Sequence, residues 1–266
     1  MSRISLLSDD ELRLYMLQFS QALLYEENHF SPLSEMLIMR SLKNPYVVGQ
    51  AFFWSLKANL YLKTSYERYY VLIEQFLMLC GRYLNELLIQ AQVNKGLQSV
   101  SETVFKKKEK AKTSKKKNSK KNEEEKKSGA VVKKPPITMD NIITRAREQL
   151  AIVQEFMPAL FTVPIEPKFI ATEFLVKKLA VFTSAKSPLA VVFNNADAGG
   201  DKLKVMFKNG DDLRQDVLTL QMIDIMDRIW LDNDLDLAMT PYKVLQTDCM
   251  QGYLEFNLNS TTLAEI

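Results

Sequence analysis

Phe207-Lys208-Asn209-Gly210-Asp211-Asp212-Leu213-Arg214-Gln215-Asp216 is the stretch on which the fold turns. A run that reads as a strand, Leu203-Lys204-Val205-Met206-Phe207, is followed by a lysine and a glycine turn. Acidic residues then open a helix whose inward side is expected to hold Leu213, Val217, Leu220, Ile223, Ile225, Met226 and Trp230. Acids at a helix start suit the positive end of the helix dipole. They also repel phosphate, so Lys208 is the group that would face any anion. On spacing alone, a plain hairpin turn with a solvated acidic cap is the better fit.

Working outward, Leu189-Ala190-Val191-Val192-Phe193 reads as the partner strand, joined through a turn at Asp197-Ala198-Gly199-Gly200-Asp201. Two further strands are expected near Lys243 to Thr247 and Tyr253 to Leu258, with another helix starting at Ser260. Strands, one helix and strands again make a small α+β lobe.

Everything before Pro164 reads as helix or linker. Ser8-Asp9-Asp10-Glu11 is a capping box, and Leu12, Tyr15, Met16, Phe19, Leu23 and Leu24 follow at helical spacing. Ser31-Pro32 starts a second helix, Asn44-Pro45 breaks it, and Phe52, Phe53, Leu56 and Leu60 mark a third. A long stripe from Tyr66 to Ala91 predicts one helix over about Ser65 to Gln92, and another is expected from Met139 to Phe161. Between them, Phe105 to Pro136 offers almost nothing to bury and predicts an unordered linker.

The 266 residues leave room for one large or two ordinary domains, and 47% hydrophobic with 25% charged residues excludes collagen-like and wholly disordered chains. The net charge of +3 hides a split, because Lys106 to Lys134 holds 14 lysines and four glutamates, a local +10 beside −7 elsewhere. That insert reads as a solvated linker, an anchor for anionic lipid, or a contact for nucleic acid; without aromatic residues it has no platform for bases, and no nucleic-acid partner is expected. No apolar run reaches the length of a membrane span, and the acidic N-terminus carries no secretory signal. Cys80 and Cys249 are read as small, reduced core residues and His29 as a surface residue.

The ten residues from Phe207 resemble the F-K-x-G-D-D-L-R-Q-D signature of phosphatidylinositol 3-kinases. Similarity continues through Leu235-Asp236-Leu237, Pro241-Tyr242 and Gly252-Tyr253-Leu254-Glu255. Thr183-Ser184-Ala185-Lys186-Ser187-Pro188-Leu189 looks like that family's phosphate loop, and Phe52-Phe53-Trp54-Ser55-Leu56-Lys57 like its helical domain. The resemblance implies a multidomain fold of α plus α+β type. An antiparallel helical-repeat (PIK helical) domain over 1–104 precedes a Lys-rich linker over 105–137. A linking helix over 138–163 and a protein-kinase-like N-lobe over 164–266 follow, the lobe with an antiparallel sheet and one long helix.

It also implies ATP-dependent phosphorylation of the inositol 3-hydroxyl of phosphoinositides. Lys208 would hold the ATP phosphates, with Ser184 and Lys186 in the phosphate loop. Asp216 and Tyr242 would stand behind the nucleotide, Met206 would pack on the adenine, and backbone groups of Glu255 and Asn257 would bond it. Two departures stand out: Ala190 where the family often has a tryptophan wall, and Asn257 in place of an apolar residue. The D-R-H-x-x-N and D-F-G motifs of the family's C-lobe do not occur, so no catalytic or metal-binding residue is expected here and Mg2+ ligands are assigned to that lobe. On this reading the chain is a lipid-kinase segment, inactive alone, with mixed class I and class III features. The alternative is a non-catalytic scaffold or pseudokinase module whose helices bind a partner. Expected partners are a phosphoinositide, an anionic membrane surface and a regulatory subunit on the helical domain, at the cytoplasmic side of plasma or endosomal membranes.

Overall fold

A computed structural model of the protein describes residues 4–121, 138–256 and 261. Ser8 caps the first helix as expected, accepting from the Glu11 amide at 3.2 Å while the Glu11 carboxylate accepts from the Ser8 amide at 2.7 Å. Helix α1 (Asp9–Leu14) passes through Tyr15 into α2 (Met16–Ala22). Ser31 and Pro32 start α3 (Pro32–Lys43), and a π-helical turn over Pro45–Gly49 leads into α4 (Gln50–Lys57). Leu12, Leu37, Phe52, Trp54, Tyr69 and Phe76 are the centre of this first core.

The single helix expected over Ser65 to Gln92 is broken in two, α5 (Tyr66–Leu79) and α6 (Tyr83–Lys121). Gly81 between them has φ +57°, a conformation that side chains with a Cβ rarely adopt, so the chain turns there. Helix α6 then runs past the expected start of the linker at 105. Lysine is a good helix former, and extending an established helix is far easier than starting one. The remaining linker residues, 122–137, lie outside the described residues.

Val93, Leu97, Val100 and Val104 share one face of α6 and pack against Ile142, Ala146, Leu150 and Val153 of α7 (Met139–Glu155) in the second core. The first core takes Tyr83 and Leu87 of α6 and the second takes Val93 to Val104, so this helix contributes to both. Helix α7 also stops at Glu155, because Phe161 and Val163 are already strand residues with buried side chains.

Strands β1 (Phe161–Val163), β2 (Glu166–Phe174), β3 (Ala180–Val181), β4 (Leu189–Asn195) and β5 (Leu203–Asn209) precede α8 (Arg214–Leu231), and β6 (Val244–Asp248) and β7 (Gln251–Glu255) follow it. Their antiparallel order is β1-β2-β4-β5-β7-β6, with β3 paired to the start of β4. A helical unit followed by an antiparallel sheet with one long helix is the expected architecture. Helix α8 begins at Arg214 instead of at the two aspartates. Of the seven residues expected to face inward, only Leu213 is buried. Leu218, Met222 and Ile229 make an apolar side that no described residue buries. Cys80 and Cys249 are half-buried free thiols, and Cys80 packs against the first core. His29 is half-buried as well, and its Nδ1 has no partner among the described residues.

A buried polar network joins the two units. The Gln50 amide donates to Gln90 Oε1 at 2.8 Å and to the Pro164 carbonyl at 2.6 Å. Trp54 donates to the same Gln90 oxygen at 3.1 Å, and Gln90 donates to Thr162 at 3.2 Å. Gln90→Leu orphans several of these groups at once and is expected to cost about 1–3 kcal/mol, read by thermal denaturation.

Candidate functional site

Side chains alternate along β5: Val205 and Phe207 enter the second core, so Lys204, Met206 and Lys208 share the opposite, open face. Met206 lies between Ala190 on β4 and Leu254 on β7, and Lys208 stands opposite Gly252. Lys208 is half-buried, yet it has no hydrogen bond or ion pair among the described residues. Partly desolvating an ammonium without a partner is costly, and an anion would remove that cost.

A second lysine reaches the turn that follows it. Gly210 turns the chain with φ +94°, and the Lys186 Nζ lies 3.6 Å from where a Cβ on Gly210 would stand. The loop between β3 and β4 therefore brings Lys186 to the turn that follows Lys208. Ser184 sits exposed in this loop, and its carbonyl accepts from the Ser187 amide at 3.2 Å. Ser187 is fully buried with φ 48°.

Sequence reasoning missed what holds this strained loop. The Lys108 ammonium donates to the Ser184 carbonyl at 3.1 Å and to the Ser187 hydroxyl. Lys108 falls within the lysine-rich insert, and nothing in its local sequence separates it from Lys106 or Lys107. Lys108→Met is expected to speed amide hydrogen exchange over residues 184–188 severalfold, whereas Lys107→Met leaves it unchanged.

The acidic residues do not all join the lysines. Asp212 pairs with Arg214 at 2.6 Å, and hydrogen bonds from that guanidinium hold the Asp212 carboxyl below its usual range. Arg214 also donates to the Tyr61 hydroxyl of the helical unit, whose pKa burial pushes up. Asp216 is half-buried in the first turn of α8. Tyr242, expected beside it, lines a separate cavity of about 590 Å³ with Arg13, Gln50, Arg214, Gln221 and Lys243, and Asp216 is not part of that lining. The Glu255 amide is already committed to the Lys243 carbonyl at 2.9 Å, which leaves that residue's carbonyl for any base. Asn257 lies outside the described residues.

The Lys186 ammonium at the turn that follows Lys208, with Met206 and Ala190 paired on the same face of the sheet, suits a ligand with a polyanionic end and a flat apolar end. Among the described residues no group of three or more His, Cys, Asp or Glu side chains could hold a metal ion. Nor is any described helix long and apolar enough to cross a membrane.

Residues 1–89 match a family described as the phosphoinositide 3-kinase family accessory (PIK) domain, and residues 202–266 match the phosphatidylinositol 3- and 4-kinase family. Phosphatidylinositol 3-kinase 2 of Dictyostelium discoideum is 35% identical over 263 residues, covering 99% of this chain and 12% of the relative. Phosphatidylinositol 3-kinase 1 of the same organism is 35% identical over 264 residues, 98% of this chain and 14% of the relative. The phosphatidylinositol 4-phosphate 3-kinase C2 domain-containing subunit alpha of Pongo abelii is 33% identical over 264 residues, 99% of this chain and 14% of the relative. The chain thus spans 12–14% of the length of these curated relatives.

Proposed function

Because the chain belongs to the phosphatidylinositol 3-kinase family, we propose that its sheet is the nucleotide-holding lobe of a lipid kinase. That kinase moves the γ-phosphate of ATP to the inositol 3-hydroxyl of a phosphoinositide. The approach of Lys186 to the Gly210 turn, two residues after Lys208, carries the reading. Lys208 and Lys186 hold the phosphates, Ser184 belongs to the loop that carries Lys186, and Met206 floors the base. Bound magnesium would neutralise charge on the phosphates, and its ligands belong to a second lobe.

The apolar side of α8 favours this over a free-standing scaffold. Leu218, Met222 and Ile229 are 45%, 49% and 55% exposed, which suits a face that a second lobe covers. The chain by itself then binds nucleotide and transfers no phosphate. The protein works from the cytoplasm at plasma or endosomal membranes, with the lysine-rich insert drawn to anionic lipid and the helical unit open to a regulatory subunit.

A chimera tests the reading. Residues 164–266 replace the matching segment of Dictyostelium phosphatidylinositol 3-kinase 2, and the chimera is given ATP and phosphatidylinositol vesicles. The expected product is the 3-phosphorylated lipid, lost in Lys208→Met. A folded chimera without product would overturn the proposal.

A further inference from the structure

Two aromatic rings on the open face are unaccounted for. Val181 belongs to the second core, so by alternation Phe182 lies on the open face. Tyr253 likewise points into the core, which puts Leu254 and Phe256 on the open face. The Phe182 amide donates to the Pro188 carbonyl at 3.0 Å, and the Phe256 amide donates to the Lys204 carbonyl at 3.3 Å. Lys204 pairs with Val192, so the two attachment points are four residues apart along β4, about 13 Å. The ring centroids are nevertheless only 6.2 Å apart, with planes 19° from parallel. Both side chains therefore lean inward along the sheet, toward the level of Ala190 and Met206.

Ala190 makes this possible. It is 4% exposed, stands between Ala180 and Met206, and is too small to fill the face by itself. The Lys204 ammonium sits 4.2 Å from the Phe256 centroid and holds that ring by a cation–π contact. Phe182 is 39% exposed and is the ring with room to swing.

Resting on the nucleotide reading above, we propose that Phe182 and Phe256 form an aromatic clamp for the purine base. Phe256 is the fixed plate and Phe182 the movable one, and together they take the place of the tryptophan wall that Ala190 replaces. The ligand class follows from the two ends of the face: a flat π-system between the rings, joined to a polyphosphate that reaches Lys186 and Lys208.

Isothermal titration of the full chain with ATP and with inorganic tripolyphosphate separates the two ends. Tripolyphosphate engages the lysines and has no base. Phe182→Ala and Phe256→Ala are each expected to weaken ATP roughly tenfold and to leave tripolyphosphate unchanged. Phe182→Leu and Phe256→Leu keep the apolar bulk, guard against misfolding, and are expected to weaken ATP in the same direction. If tripolyphosphate binds and the leucine and alanine variants keep wild-type ATP affinity, the clamp is refuted while the lysine site stands. Tighter ATP binding in these variants would show that the rings block the face, and would also refute it. If wild type binds neither probe, the phosphate reading fails and the clamp fails with it.

Discussion

Lys208→Met is expected to lower the affinity of the chain for ATP by roughly 100-fold and to move its melting temperature by no more than about 2 °C. The two halves of that expectation have one cause. Lys208 is half-buried with no hydrogen bond or ion pair among the described residues, so removing its charge breaks no internal bond. A phosphate, by contrast, gains a charge-assisted contact in a site partly shielded from water. Titration calorimetry and a thermal melt on the same samples check both. Unchanged affinity would return Phe207 to Asp216 to a hairpin turn with a solvated acidic cap.

Gly252→Val is expected to cost about 3 kcal/mol, a fall of roughly 6–12 °C in melting temperature. A Cβ at Gly252 would stand 2.2 Å from the Leu245 carbonyl oxygen, 2.6 Å from Leu213 Cδ1 and 2.9 Å from Gln246 Cα. Two of these three are backbone atoms held in the β6–β7 pairing, so neither can swing aside. Because Gly252 faces Lys208 across the ladder, ATP affinity should fall with stability. Gly199→Ala is the control: the nearest atom to its Cβ is 3.7 Å away, and its cost should stay within about 0.5 kcal/mol.

The legible parts of the fold were those written in local chemistry. The Ser8 capping box and the Ser31-Pro32 start act within one helical turn, and both form as their residues dictate. The run from Leu203 to Phe207 likewise reads as a strand and forms one, but only burial of Val205 and Phe207 shows which side carries Lys208 and Met206. What stayed hidden depends on distant partners. The spacing of Val93, Leu97, Val100 and Val104 was present in the sequence, but only packing shows that this face turns to the sheet instead of to the first helices. Strand β2, Glu-Pro-Lys-Phe-Ile-Ala-Thr-Glu-Phe, is too polar to announce itself and is fixed by pairing with β1 and β4.

Of the site, the structure sets Lys186 beside the Gly210 turn, a neighbour the sequence does not name, while Tyr242 lines a different cavity. Lys108 and the Phe182–Phe256 pair were silent in sequence, because their roles arise from segments brought together by the fold. Helix α8 shows the reverse case. Its apolar positions promised burial, and the described residues do not supply the surface that would bury them.

An ATP acyl-phosphate, which transfers its acyl group to the lysine nearest the nucleotide phosphates, gives the most direct test. After labelling of the full chain and peptide mass spectrometry, the acyl group should be found on Lys208 and Lys186, and excess ATP should suppress it there. Label scattered over surface lysines such as Lys177 and Lys202, with no protection by ATP, would contradict the account.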